Sequence, residues 1–211
     1  MWGYFITKGE ISMIITTIEK QKKNKKYNVY IDGEYAFSCN LEDLIYLGIE
    51  EGKELDSEQY NYYVNYTATR QASDYAFKLL SRKMLTEKEL SQKLEIKGFE
   101  ENIIKSVIEK LKSYNYINDE VYTKLFIEQK INQLYSRRKI YYELVKKGIN
   151  KELIQESLNN FYPEEKEVEI IKKIIEKKLK SQEETKKLKN YLYNNGFQIE
   201  NISDALKEKD L

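Results

Sequence analysis

The amino-acid sequence predicts a mainly α-helical protein, with three tandem three-helix repeats in an elongated, curved array that follows a small N-terminal antiparallel sheet. Composition is the first reason: 34% of the 211 residues are charged, whereas the chain has only 8 glycines and 1 proline. Such a composition is typical of helices with solvated faces and disfavours turn-rich sandwiches or barrels. The second reason is that β-branched, alternating segments are confined to the N-terminal part. The third is a glycine-centred apolar pattern that recurs further along the chain.

Three short segments rich in β-branched and aromatic residues predict the sheet, which should span residues 13–38. These segments are residues 14–19, 27–31 and 35–37. The pair Asp32-Gly33 separates the last two and predicts a tight hairpin, because both residues of such a turn must adopt positive φ. The lysine-rich stretch 20–26 should join the first two strands as a solvated loop. Residues 1–12 are expected to be an extension, with Met13 as an alternative initiator.

Two helices should follow the sheet. Asn40 is a good N-cap for a short helix over residues 41–47, and Gly48 is expected to end that helix. Asp56 should cap another helix that runs through a tyrosine-rich stretch towards Arg70. The sequence therefore predicts an N-terminal domain in which a sheet is followed by short helices.

Three glycines, Gly98, Gly148 and Gly196, lie in the same apolar frame. Apolar residues stand at −8, −4, +1, +6 and +10 from each glycine, so that each flanking helix presents two apolar side chains on one face. These residues are Leu90, Leu94, Phe99, Ile104 and Ile108, then Ile140, Leu144, Ile149, Ile154 and Leu158, then Leu188, Leu192, Phe197, Ile202 and Leu206. A glycine fits the left-handed position that ends a helix. Each repeat should thus contain a helix, a glycine turn and a second helix.

A further helix is expected before each pair, with two core-facing residues. These helices should span residues 72–83, 120–134 and 165–179, and the core-facing residues are Ala72 and Ala76, Tyr122 and Phe126, and Ile170 and Ile174. Thr86 with Glu89 predicts a capping box, and Ser136 is the corresponding cap of the second repeat. Pro163 marks the restart of a helix between repeats, whereas Asn201 interrupts an apolar pair in the third. The expected domains are residues 13–69, 70–117, 118–163 and 164–211.

The composition disfavours catalysis and bulk binding of nucleic acid. The chain has no histidine, so the commonest general base and metal ligand are missing, and its one cysteine, Cys39, cannot form an intramolecular disulfide or a thiolate zinc site. No glycine-rich phosphate-binding loop is present, and the net charge is only +1. No apolar run is long enough to span a bilayer. We expect a cytoplasmic protein that is not an enzyme and has no cofactor or metal.

Four motifs make the sequence resemble the RecX family of regulatory proteins. They are Ala72-Ser-Asp-Tyr-Ala76, the stretch from Thr86 to Gly98, Tyr116-Ile-Asn-Asp-Glu120, and Ile140-Tyr-Tyr-Glu-Leu-Val-Lys-Lys-Gly-Ile149. The last is the most specific, and the resemblance covers roughly residues 13–205. Family members usually carry Gly-Pro where this chain has Ser136-Arg137, a change that keeps a helix cap and adds a positive charge.

The resemblance implies a non-catalytic modulator of the RecA recombinase, with a part in recombination, DNA repair and the SOS response. Proteins of this family bind the groove of the RecA filament on single-stranded DNA and modulate filament growth, ATP hydrolysis and strand exchange. Inhibition is the expected direction. A monomer with weak, non-specific contact to single- or double-stranded DNA would fit this role, and no membrane partner is expected.

Two basic clusters are candidate surfaces for contact with the partner or with DNA. The denser cluster lies within residues 136–147 and contains Arg137, Arg138, Lys139, Tyr142, Lys146 and Lys147. The second is predicted on the first helix of the first repeat and contains Arg70, Lys78, Arg82 and Lys83. Arginine forks and tyrosine rings are common anchors in interfaces and on phosphates. The alternative interpretation of each cluster is a solvated helix face, on which lysines near the last turn favour the helix dipole.

Two other functions compete with the RecA modulator. Each glycine-centred helix pair resembles a helix-turn-helix, which would indicate a sequence-specific DNA-binding protein. Against this, Leu94, Leu144 and Leu192 stand where that motif usually has a small residue. The other alternative is a generic helical adaptor for a different protein.

Overall fold

A computed structural model describes residues 12–23, 25–178 and 184–207. The chain forms two units, one of Met1–Lys78 with Leu94–Val107 and one of Leu79–Lys93 with Ile108–Leu211. The predicted extension, apart from Ser12, lies outside the described residues. In the described part the helices are α1 (Leu41–Leu47), α2 (Ser57–Leu80), α3 (Glu87–Ile96), α4 (Glu101–Ser113), α5 (Asp119–Asn132), α6 (Arg137–Lys146), α7 (Lys151–Phe161), α8 (Glu164–Lys178), α9 (Thr185–Asn194) and α10 (Ile199–Lys207).

The predicted antiparallel sheet is confirmed and has one additional strand. Its strands are β1 (Met13–Lys20), β2 (Lys26–Ile31), β3 (Glu34–Asn40) and β4 (Glu54–Leu55), in the order β3-β2-β1-β4. Asp32 and Gly33 have φ of 51° and 85°, as the hairpin requires. The unpredicted β4 is only two residues long and pairs with Met13 and Ile14. The predicted loop 20–26 is shorter than expected, because both end residues belong to strands, and Asn24 lies outside the described residues.

The first unit has its core between the sheet and helices α1 and α2. Buried residues from all four strands, from α1 and from α2 form one cluster: Ile15, Val29, Ile31, Phe37, Cys39, Leu44, Leu47, Ile49, Leu55 and Tyr63. The Asn40 side chain caps α1 by accepting from the Asp43 N–H at 2.7 Å, and Gly48 adopts a left-handed conformation at the C-cap. The Tyr63 hydroxyl donates to the Leu47 carbonyl at 2.9 Å, which ties α2 to the end of α1.

The prediction of two separate helices in this region, one ending near Arg70 and one over residues 72–83, is wrong. The structure has a single 24-residue helix, Ser57–Leu80, capped by Asp56, whose carboxylate accepts from the Gln59 N–H at 2.7 Å. No glycine or proline occurs between Ser57 and Leu80, so nothing in the backbone breaks the helix. Likewise α5 ends at Asn132 rather than near 134, and α8 is described to Lys178, because Leu179 lies outside the described residues.

The tandem three-helix repeats are confirmed at their glycine turns. Gly98, Gly148 and Gly196 have φ of 95°, 85° and 88°. At each turn the N–H after the glycine donates to the carbonyl five residues earlier, as Ile149 does to Leu144 at 3.2 Å, and the glycine N–H donates to the carbonyl three residues earlier. This pattern is the Schellman motif. Of the fifteen framed apolar residues, thirteen are buried, and only Phe99 and Ile104 are half-buried.

The second and third repeats share one apolar core in the second unit, which extends from Phe126 in α5 to Leu206 in α10. Asn201, which interrupts the apolar pattern, is buried, and its Nδ2 donates to Glu167 Oε2 at 2.8 Å. The polar residue is therefore matched by a buried carboxylate on α8. Pro163 stands immediately before α8, and its carbonyl accepts from the N–H groups of Lys166 and Glu167, as expected for a helix restart.

Candidate partner-binding surface

Thr86 and Ser136, the residues that cap the N-termini of α3 and α6, also form hydrogen bonds to the following repeat. The Thr86 hydroxyl accepts from the Glu89 N–H and donates to the Lys147 carbonyl at 2.7 Å. In the next repeat the Ser136 hydroxyl accepts from the Lys139 N–H and donates to the Asn195 carbonyl at 2.7 Å. Each hydroxyl thus caps its own helix and holds the residue just before the glycine of the next repeat.

Two further contacts recur at the same junctions. The first N–H of α3 donates to Asp119 Oδ1 at 3.0 Å, and the first N–H of α6 donates to Glu167 Oε1 at 2.8 Å. The glycine turns also lie against the cap helices: a Cβ built on Gly148 would stand 2.5 Å from the Cβ of Lys88, and one on Gly196 would stand 2.9 Å from Ser136 Oγ. The N-terminus of α6 is thereby fixed by α8 and by the α9–α10 turn, which makes the helix a well-ordered platform.

Arg137 is half-buried, and its guanidinium is hydrogen-bonded to the end of α7. Its guanidinium donates to the carbonyls of Leu158 and Tyr162 and, at 2.8 Å, to Asn159 Oδ1. These contacts cap the C-terminal end of α7, where free carbonyls favour a cation. The Tyr162 ring is fully buried, and its hydroxyl donates to the Tyr135 carbonyl at 2.9 Å. Arg137 therefore has a structural role in the junction between α6 and α7.

Lys147 also has an internal partner. Its Nζ donates to Glu89 Oε1 at 2.8 Å and lies 5.5 Å from the centroid of the Tyr122 ring. Burial is the largest single influence on the pKa of Lys147 and acts to lower it, but the hydrogen bonds with Glu89 and Tyr122 and the charges of these two groups together raise the pKa. Burial acts in the opposite direction on Glu89, yet the bonds from Lys147 and the Thr86 N–H lower the pKa of this carboxyl. The ion pair thus reinforces the junction between the first and second repeats.

The remaining residues of the dense cluster stay together on one side of α6. Arg138, Tyr142 and Lys146 are exposed, and Lys139 is half-buried. They line an open groove with Tyr193 and the Asn194–Gly196 turn. We call the four residues Arg138, Lys139, Tyr142 and Lys146 the α6 face. The groove contains one carboxylate, that of Glu143, which is paired with Lys130 at 3.0 Å, so the α6 face carries an excess of positive charge.

The second predicted cluster does not lie on one helix. Arg70 and Lys78 belong to α2, but Arg82 and Lys83 follow its end at Leu80, which corrects the prediction that all four share the first helix of the repeat. Helix α2 ends before them, and the Arg82 N–H donates to the Leu79 carbonyl in a turn. The Arg70 guanidinium lies 3.4 Å from Asp43 and 3.8 Å from Glu42. Its charge is therefore offset by two carboxylates of α1.

Cys39 lies in the core of the first unit and is 2% exposed. Burial, with a smaller contribution from the charge of Asp43, raises the pKa of the thiol to about 11. Because the thiolate is the nucleophilic form, this environment suppresses reactivity at neutral pH. None of the helices in the described part of the chain is both long and apolar enough to cross a membrane.

Sequence reasoning missed the residues that complete these surfaces from distant parts of the chain. Tyr193 in the groove and Glu167 at the junction are separated from α6 by a whole helix or more in sequence. An acidic residue recurs about thirty residues after each capping residue, as Asp119 after Thr86 and as Glu167 after Ser136. This recurrence is the sequence signal that could have identified Glu167.

Comparison with family models identifies three successive matches in the chain. Residues 13–56 match the regulatory protein RecX N-terminal domain, residues 72–111 match the first three-helix domain of RecX, and residues 118–158 match its second three-helix domain. Together the three models cover more than half of the sequence.

Individual relatives agree with these matches. The chain is 58% identical to the regulatory protein RecX of Caldanaerobacter subterraneus subsp. tengcongensis over 194 residues, which are 92% of this chain and 98% of the relative. It is 38% identical to the regulatory protein RecX of Clostridium acetobutylicum, over 92% of this chain and 95% of the relative. A crystal structure of regulatory protein RecX superposes with a TM-score of 0.65 at 28% identity, covering 91% of this chain and 99% of that one. A crystal structure of RecX from Lactobacillus salivarius gives 0.63 at 26% identity, covering 68% and 97%.

Proposed function

Because the chain belongs to the RecX family of regulatory proteins, we propose that it binds the RecA filament on single-stranded DNA and inhibits its assembly, ATP hydrolysis and strand exchange. The protein acts by surface contact and catalyses no reaction itself. Its place of action is the cytoplasm, and it works as a monomer whose own contact with DNA is weak and independent of sequence.

The α6 face is the observation that carries the proposed contact. Three cations and a tyrosine ring stand together on a helix whose N-terminus is fixed by hydrogen bonds that Ser136 and Arg137 donate to the α9–α10 turn and to α8. A preordered surface loses little conformational entropy when a partner binds it. Such a surface suits an acidic wall of a protein filament. Tandem repeats add contacts to successive protomers, and each added contact multiplies a weak affinity.

Binding alone can account for inhibition. A ligand that prefers one state of an assembly shifts its equilibrium by mass action, and no bond needs to be made or broken. Arg137 and Lys147 are excluded from the proposed contact, because each holds an internal partner in the structure. Arg138 and Lys146 are the decisive cations of the surface, since both are exposed and both line the groove.

The test is ATP hydrolysis by RecA on single-stranded DNA, measured over a titration with the purified protein. Wild type should lower the rate, and R138E/K146E should need at least tenfold more protein for the same effect. The matched control is K105E/K110E, which makes the same charge change on the exposed side of α4 and should inhibit like wild type. Circular dichroism checks that all three proteins have the same helical content.

The possible outcomes separate the surface from the function. Inhibition by R138E/K146E equal to that of wild type would reject the α6 face while leaving the RecA function in place. If saturating wild-type protein leaves ATP hydrolysis unchanged, the proposed function itself is wrong. A gel-shift competition tests the DNA-binding alternative, because a sequence-specific protein would remain bound to one duplex in the presence of excess competitor DNA.

A further inference from the structure

A separate cleft in the second unit combines lysines with aromatic walls. It has a volume of about 160 Å³ and lies among the end of α5, the start of α6, the end of α8 and the α9–α10 turn. Leu134, Ile174 and Phe197 contribute its apolar lining, and Tyr135 and Tyr191 contribute rings. We call this site the lysine–tyrosine cleft. It differs from the groove of the α6 face, with which it shares only Lys139 and Asn195 among its lining residues.

The charge of the cleft is one-sided. Lys139, Lys177 and Lys178 line it, and its lining contains no aspartate or glutamate. Among the residues that the structure describes, none of these three ammonium groups forms an ion pair with a carboxylate. Three like charges around one concave site repel one another, and an anion within the site relieves that repulsion.

Two of the three cations are held in place by the tyrosine rings. Lys139 Nζ lies 3.9 Å from the centroid of the Tyr135 ring, and Lys178 Nζ lies 4.3 Å from that of Tyr191. A cation over an aromatic face is attracted by the ring quadrupole, which limits the motion of a long side chain without neutralising its charge. The cleft therefore presents cations that are ordered and still available to an anion.

The backbone at the cleft is also strained. Leu134 lines it with φ of 59°, a left-handed conformation that bulky residues rarely adopt. Its N–H and that of Tyr135 donate to the carbonyls of Ile131 and Lys130, which closes the turn between α5 and α6. This turn brings Tyr135 to the wall of the cleft. Residues held in such conformations are concentrated at functional sites.

We infer that the lysine–tyrosine cleft binds a phosphate group. Phosphate carries up to two negative charges on several acceptor oxygens, and so it matches a site with three cations better than a single carboxylate does. The volume admits several water molecules, and hence one phosphate group, with the tyrosine rings beside it. A free phosphorylated small molecule and a nucleic-acid strand both present this group. The inference does not depend on RecA, which is absent from its test.

Isothermal titration calorimetry at low salt tests the cleft with four probes: inorganic phosphate, pyrophosphate, ADP and a 12-nucleotide oligothymidylate. For whichever probe binds to wild type, the variant K177Q/K178Q should have a Kd at least tenfold higher. The variant K177R/K178R should bind that probe with a Kd within a few-fold of the wild-type value. The control K105Q/K110Q removes the same amount of charge from α4, outside the cleft, and should bind like wild type.

Each outcome bears on the inference. Saturable binding of pyrophosphate or ADP that K177Q/K178Q weakens supports the cleft and indicates a small phosphorylated ligand. If only the oligonucleotide behaves in this way, the phosphate belongs to a strand. The inference is overturned if no probe binds saturably, if K177Q/K178Q binds like wild type, or if K105Q/K110Q loses affinity equally, because the last result would show bulk charge rather than a site.

Discussion

Replacing Gly148 by alanine measures how tightly one repeat is packed against the next. Gly148 has φ of 85°, and an added Cβ would stand 2.5 Å from the Cβ and 2.9 Å from the Cγ of Lys88. The Lys88 Cβ is attached directly to the backbone of α3, so the helix itself must move. The equivalent Gly98 has φ of 95°, but apart from Gly98 and its two chain neighbours no atom of the described residues lies within 4 Å of its added Cβ. The two glycines thus share a backbone conformation and differ in their surroundings.

This difference in surroundings determines how much unfolding free energy each glycine-to-alanine substitution should lose. A left-handed alanine costs about 1–2 kcal/mol, which is the whole expected loss for Gly98→Ala. Overpacking adds about 1–3 kcal/mol at Gly148, so that Gly148→Ala should lose about 2–5 kcal/mol of unfolding free energy. Gly196→Ala should fall between them, since its nearest neighbour would be the Ser136 hydroxyl at 2.9 Å.

Urea denaturation followed by circular dichroism at 222 nm measures these losses. The double variant Lys88→Gly/Gly148→Ala completes a double-mutant cycle, and its coupling energy isolates the clash from the backbone strain. The coupling should be favourable by about 1 kcal/mol or more, because glycine at 88 removes the three atoms nearest to the new Cβ, all of which belong to the Lys88 side chain. Equal losses for Gly148→Ala and Gly98→Ala would refute the proposed close packing of the glycine turn on α3.

Three further predictions concern single side chains. Ser136→Ala removes a helix cap together with the bond to the next repeat and should lose about 1–3 kcal/mol in urea denaturation, whereas Ser136→Thr should lose less. Glu89→Gln leaves the Lys147 ammonium without its carboxylate and should lose about 1–3 kcal/mol at pH 7. Because the pKa of Glu89 is lowered, its contribution is present above the ordinary glutamate pKa and is lost as the pH falls through the lower, folded value. The stabilities of wild type and variant should therefore converge once the pH is below that folded value, and a difference that stays constant into acid pH would contradict this reasoning. With its pKa raised to about 11, Cys39 should resist a disulfide reagent at pH 8 until urea unfolds the protein, and rapid labelling of native protein would argue against its burial.

Local interactions made much of this fold predictable from sequence. The cap at Thr86 depends on Glu89 three residues later, and the Schellman turn at Gly148 depends on carbonyls three to five residues earlier. Interactions of this range leave a pattern in adjacent residues, as the hairpin at Asp32-Gly33 does. The same reasoning failed where no local residue marks a boundary. Helix α2 continues through the predicted break because its sequence contains no breaker, and β4 is too short to show alternation.

The candidate site was less predictable, because its contacts join residues far apart in sequence. Arg137 and Lys147 belong to the densest basic segment, yet the partners of their charged groups are 22 and 58 residues away. Composition shows that a charge is present but not which charges are already satisfied. For Lys177 and Lys178 the sequence misleads in the opposite direction. They look like ordinary lysines in the last turn of a helix, and only the packing of α8 beside Tyr191 places them at a cleft.

The capping hydroxyls also determine how the series of repeats could be extended. Position 184 in the third repeat corresponds to Thr86 and Ser136 in the first two, since each lies twelve residues before its glycine. Glu184 stands there, and it makes no side-chain cap bond to α9. A carboxylate has no proton with which to hold the carbonyl of another module. Grafting a fourth copy onto this scaffold would therefore require a serine or threonine at 184 before the new unit could dock.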